Sequence, residues 1–211
     1  MFVKELPEYQ IVKKGRVLDI SKLDFEKMKE DFKAKEYKHI EITDLRVFID
    51  KKLEVMLQEN STRSNFAERL QAIIDKYNSG GTNTDNYYDE LVNYTENLKK
   101  EDERHIKEGL SKEELELFDI LKRVKMTKAE EIKVKNAAKH LLHRLREEHP
   151  LVLIQDWYKD RQSQLRVITA VEEVLDSDLP KTYNKSLFKE KSIKVFELIY
   201  EYAAKGLKWA A

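Results

Sequence analysis

The chain has no cysteine, five glycines and three prolines in 211 residues, and each scarcity removes something. Without cysteine there is no disulfide framework, no thiolate zinc site and no cysteine nucleophile. With so few glycines and prolines to punctuate turns, long helices joined by short loops are expected. No glycine falls in a Gly-x-x-x-x-Gly-Lys loop or a Gly-x-Gly-x-x-Gly turn, so nothing cradles a nucleotide phosphate. No serine sits in a Gly-x-Ser-x-Gly elbow, which argues against acyl transfer. Net charge is lacking too: 40 Lys and Arg balance 40 Asp and Glu, so any nucleic-acid contact must be a local patch. No apolar run approaches the ~18 residues that span a bilayer, and the start MFVKELPEYQ has no basic segment followed by an apolar one. A cytoplasmic protein with no membrane partner is expected.

What is present is charge and helical period. Charged residues make up 38% of the chain and mean hydropathy is −0.69, which implies many solvated faces. A folded unit of this size buries on the order of 70% of its unfolded surface, so it needs no covalent staple. Leu45, Phe48, Ile49, Leu53, Met56 and Leu57 repeat at helical spacing, as do Phe66, Leu70, Ile73, Ile74 and Tyr77. The break at residues 78–83 precedes a helix opening near Asp85 that carries Tyr87, Leu91, Tyr94 and Leu98. That helix is expected to dissolve into the mixed-charge run 99–104, a solvated face.

Ser111 with Glu114, and Thr127 with Glu130, each have the spacing of a capping box and mark two helix starts. The first opens a short apolar helix (Leu115, Leu117, Phe118, Leu121), the second a long one with Val134, Ala138, Leu141 and Leu145 on one face, ended by Pro150. Residues 151–154 are too short and too closely flanked by Pro150 and Asp156 for a strand, and are expected as a buried connection. Val167, Val171 and Leu175 mark a further helix closed near Pro180, and Val195, Ile199 and Tyr202 a last one with a C-terminal stop at Gly206. Residues 1 to about 19 lack the rhythm: residues 9–12 and 16–18 flank Lys13-Lys14-Gly15, as a short hairpin or an extended arm would. The fold class is therefore all-α, an irregular bundle of seven or eight helices with a short non-helical N-terminal arm.

Three groups of residues invite chemistry. His140, His143 and Glu147 share a helix face opposite the apolar stripe, at spacings that could begin a metal site. A polar outer face explains them as well, and no metal is assigned. Glu36-Tyr37-Lys38 matches the acid-x-Lys string of a Mg²⁺-dependent nuclease, but that chemistry needs adjacent strands, and here the string lies between helices. No catalytic residue and no cofactor are assigned. For partner binding, Trp157, Tyr158, Arg161 and Gln164 combine aromatic and long polar side chains ahead of an apolar helix, and Arg63 and Arg69 add guanidinium groups. Trp157 capping the domain's own core is the competing explanation. Arg144, Arg146 and Arg166 complete a set that could track phosphates locally, although acids accompany most of them.

Ile40-Glu41-Ile42-Thr43-Asp44-Leu45-Arg46, the run from Arg63 through Leu70 to Gly80, and Gly109-Leu110-Ser111-Lys112-Glu113-Glu114-Leu115 occur in an informative order. With Asp156-Trp157, Val174-Leu175, Val195-Phe196 and Tyr202-Ala203, they give a chain that resembles the C-terminal region of the restriction subunit of type I restriction-modification enzymes from about Asp19 onward. The resemblance implies a parent with a Mg²⁺-dependent nuclease domain and two ATP-using helicase-like domains upstream. It implies that this region docks the motor subunit onto the methyltransferase and specificity subunits, with DNA met through the whole complex. The alternative is a module that contacts DNA itself and guides duplex to the motor. On this reading residues 1–42 are an arm and a linker helix leaving the helicase region, as a piece cut from a longer chain would carry, and residues 43–211 are the C-terminal helical domain.

Overall fold

The computed structural model describes residues 11–13, 16–18, 20–147 and 152–209, the first six as backbone. Among these the structure is all-α apart from one short antiparallel pairing of Ile11–Lys13 (β1) with Arg16–Leu18 (β2), Ile11 facing Leu18. The hairpin alternative for the arm is the one adopted. Residues 1–10, 14, 15 and 19 of that arm lie outside the described residues. The chain divides into two compact units, residues 1–107 and 108–211.

In the first unit, α1 (Phe25–Lys33), α2 (Lys38–Glu59) and α3 (Ser64–Asn78) all pack against α4 (Thr84–Asp102). A helix gripped on several sides must be apolar on several sides, and α4 meets this with buried Tyr87, Tyr88, Leu91, Val92, Tyr94 and Leu98. Phe32 stacks on Tyr88 with ring centroids 3.7 Å apart, and Tyr77 on Tyr87 at 4.0 Å. Burial pushes the Tyr88 hydroxyl up to about 12, so it stays neutral inside the core. Asp24 caps α1 and Asn83 caps α4, each accepting a backbone amide three residues on. Between α3 and α4 Gly80 takes φ +75°, which lets Gly81 donate to the Lys76 carbonyl at 2.8 Å and Gly80 to that of Tyr77 at 3.0 Å. Those two bonds close the helix end in the left-handed manner that favours glycine.

One expectation is corrected here. The charged run 99–104 does not dissolve into solvent, because α4 continues to Asp102 and the charges find partners. Arg63 and Arg104 both bind Glu101, and Lys52 binds Asp102 at 2.7 Å.

A short helix, α5 (Arg104–Glu108), ends on the first residue of the second unit. There α6 (Lys112–Leu121), α7 (Lys128–Glu147), α8 (Arg161–Asp178) and α9 (Lys185–Ala204) form a closed four-helix bundle, α6 against α7, α7 against α8, α8 against α9 and α9 against α6. Both capping boxes form: Ser111 and Glu114 bond each other's backbone amides, as do Thr127 and Glu130. Leu115, Leu117, Leu121, Val134, Leu141, Leu145, Val171 and Ile199 line the core. Loss of any one leucine methyl cluster to alanine costs about 2–5 kcal/mol in such surroundings. Val152 and Leu153 are buried and unpaired with any strand among the described residues, while Pro150 and Leu151 lie outside them. Glu116 is a buried charge of this unit: it accepts from the Tyr202 hydroxyl at 2.7 Å and from Lys208 at 3.2 Å, tying α6 to the end of α9 and the tail beyond it.

Candidate interaction surface

The segment 156–164 is built around an inward tryptophan. Asp156 adopts φ +57°, turning the chain so that Trp157, in a single 3-10 turn, drops fully into the core. Its indole N–H donates to the Trp209 carbonyl at 2.9 Å. Asp160 then caps α8, accepting from the backbone amide of Ser163 and from its hydroxyl, both at 2.8 Å, and those bonds hold its carboxyl below the usual range. Gln164 donates to the Tyr158 carbonyl at 2.7 Å and so fixes the turn from behind.

Trp157 is therefore a core side chain, as the competing explanation has it, and neighbouring rings rest on it. Tyr158, Phe196 and Tyr200 lie edge-on around it, with ring centroids 6.3, 6.2 and 6.2 Å from the indole. Tyr158 and Phe196 are half-buried, whereas Tyr200 is 38% exposed and Ile193, one turn before Phe196, is 45% exposed. Ile193, Phe196 and Tyr200 at i, i+3 and i+7 form an apolar flank of α9 displaced from the core stripe of Val195, Ile199 and Tyr202. Arg161, at the start of α8, is exposed. The stripe read from the sequence, Val195, Ile199 and Tyr202, passes over Ile193 and Tyr200. The available signal was that the apolar positions of this helix cover more than one face.

Arg63 and Arg69 belong to the first unit. Arg63 is buried, with 3% exposure, and spends its guanidinium inside the first unit on Glu101, the Glu101 carbonyl and the Met56 carbonyl. It offers no side chain to a partner. Arg69, also in the first unit, is exposed and lies over the Phe66 ring at 5.7 Å. Arg144 pairs with Glu173 and Arg146 with Glu113, so those arginines do not form an open phosphate track.

His140 and His143 are exposed as their helix face predicts, and each meets a different carboxylate. His140 Nδ1 lies 2.5 Å from Asp178 on α8, and His143 Nδ1 3.0 Å from Glu147 on its own helix. Among the described residues no three His, Asp, Glu or Cys side chains come together as a metal site would require. Glu36 and Tyr37 occupy the bend before α2 rather than a strand, and Lys38 opens that helix with its ammonium 2.6 Å from Asp85. With Asn83 and Thr84 they line an open cleft of about 650 Å³. Strand geometry that would hold Mg²⁺ against an acid-x-Lys pair is not formed around them. No helix among the described residues is long and apolar enough to cross a membrane.

These features define an all-α domain of two units that presents a surface. Residues 9–205 match the family described as "Type I restriction enzyme HindI endonuclease subunit-like, C-terminal", and the chain belongs to that family. Over 207 residues, 96% of the chain, it is 24% identical to a Methanocaldococcus jannaschii protein described as the type I restriction enzyme MjaIXP endonuclease subunit. The chain spans 18% of that relative's length. No solved structure gives a significant match.

Proposed function

We propose that this domain docks the endonuclease and translocase subunit of a type I restriction enzyme onto its methyltransferase and specificity core. The observation that carries the reading is the aromatic flank over Trp157. Tyr158, Phe196, Tyr200 and Ile193 leave apolar surface uncovered on a rigid base, with Arg161 exposed nearby, and such residues are the usual anchors of protein interfaces. The parent's ATP- and Mg²⁺-dependent steps belong, on this reading, to domains outside this chain. Residues 1–42 serve as the arm and linker from those domains and residues 43–211 as the domain proper, α2 running through the join.

The test is assembly of the complete subunit with its methyltransferase and specificity partners. Tyr200→Ala with Ile193→Ser is expected to weaken assembly at least tenfold, as loss of two anchors should. The variant's thermal midpoint should stay near that of the parent, because both side chains are substantially exposed. Full assembly of that variant, and of a subunit lacking residues 108–211, would remove the docking role.

A further inference from the structure

We propose that one end of the second unit is a sequence-independent contact surface for the phosphate backbone of duplex nucleic acid. The proposal is independent of the docking reading, because it uses different residues and a different kind of partner.

The chain has no net charge, yet its charge is not evenly spread. Residues 122–128, from the end of α6 to the first residue of α7, hold four Lys or Arg and no acid, and residues 179–189, the loop after α8 with the start of α9, hold three Lys and no acid. The fold brings these two segments together. Arg123 donates to the Thr182 hydroxyl at 3.0 Å, Tyr183 donates to the Leu121 carbonyl at 2.7 Å, and Lys191 reaches the Ile120 and Lys122 carbonyls at 2.7 and 3.2 Å. Both loops therefore sit at the same end of the bundle.

The local acids are almost all spoken for. Asp119 pairs with Lys122, Glu130 with Arg123, Glu190 with Lys194 and Asp178 with His140, which leaves Asp176 as the flanking acid without an ion pair among the described residues. Lys125, Lys128, Lys181, Lys185 and Lys189 are exposed and have no acidic partner among the described residues. Two of them, Lys128 and Lys185, open helices, where the backbone already presents positive partial charge and a cation gains nothing from the fold. Positive charge concentrated against the fold's own preference needs an anion from outside.

The side chains select the class of anion. The free cations are all lysine, mobile point charges suited to phosphates spaced along a backbone, and the tip between them is Val124, with no exposed aromatic anchor. Protein interfaces deplete lysine and enrich aromatics, which is the composition of the α9 flank and not of this end.

The test is binding of the full chain to two short duplexes of unrelated sequence, followed by anisotropy across a salt titration. Similar affinity for both is expected, falling about 100-fold between 50 and 200 mM salt if four phosphates are neutralised. Lys125→Glu/Lys181→Glu/Lys185→Glu should weaken binding at least tenfold. Lys27→Glu/Lys33→Glu/Lys51→Glu, the same charge change on exposed first-unit lysines, should change it less than twofold. Absence of duplex affinity at low salt, equal loss in both triple variants, or tighter binding to poly-glutamate than to duplex would each overturn the proposal, the last by assigning the surface to an acidic protein.

Discussion

Arg63 donates its Nε to Glu101 Oε1 at 3.0 Å while Arg104 donates to the other oxygen of the same carboxylate, so one half-buried acid joins the start of α3 to the end of α4. Removing Glu101 takes the carboxylate from the buried Arg63 guanidinium, whereas removing Arg63 leaves Glu101 with Arg104. Glu101→Ala is expected to destabilise the chain by about 3 kcal/mol, whereas Arg63→Met with Glu101→Leu should recover much of that loss, because an apolar pair carries no desolvation cost. Urea midpoints of the single and double variants measure both effects.

Trp157 supports the aromatic flank and anchors the C-terminal tail through its indole N–H. Trp157→Ala is expected to cost about 3–5 kcal/mol as a core truncation. Trp157→Phe keeps most of the packing but leaves the Trp209 carbonyl without its donor, for a smaller loss of about 1–2 kcal/mol. Thermal unfolding separates the two. If the phenylalanine variant is as unstable as the alanine one, the hydrogen bond matters more than the ring.

Glu130 is held at about 2 by the Thr182 hydroxyl first, then by the Thr127 amide and hydroxyl and the Arg123 guanidinium. A carboxylate depressed in the folded state stabilises the fold above its unfolded value near 4.5, and that contribution is lost as pH falls towards 2. Denaturation curves taken from pH 5 down to pH 2 should therefore show a steeper loss of stability in the parent than in Glu130→Gln. Parallel pH profiles would mean that the clasp between the two loops does not depend on this charge.

The exposed ion pairs of His140 and His143 contribute little. His140→Ala and His143→Ala should each change stability by less than about 1 kcal/mol. Zinc titrated into the chain should give no saturable shift in thermal midpoint. A saturable shift abolished by both substitutions would instead make this face a metal site.

Most of the helices are legible in the sequence because their physical causes are local. Ser111 with Glu114 and Thr127 with Glu130 set two starts, Gly80 and Gly206 two stops, and the apolar stripes set the buried faces. What was not legible depends on partners distant in sequence. Nothing near Arg63 announces that Glu101 lies 38 residues away to bury it, and the run 99–104 reads as solvated until Lys52 and Arg63 are placed beside it. Trp157 carried two readings because composition alone does not say which way a ring points, and φ +57° at Asp156 decides it. The flank of Ile193, Phe196 and Tyr200 was hidden inside a helix whose apolar residues serve both a core and a surface.

The most direct test of the docking account is calorimetric titration of the chain into the isolated methyltransferase–specificity core. The account predicts saturable binding with a negative heat-capacity change from apolar burial, lost or weakened at least tenfold by Tyr200→Ala with Ile193→Ser and unaffected by Lys125→Glu/Lys181→Glu/Lys185→Glu. Equal binding by the aromatic variant and the unaltered chain, or no binding by either, would contradict it.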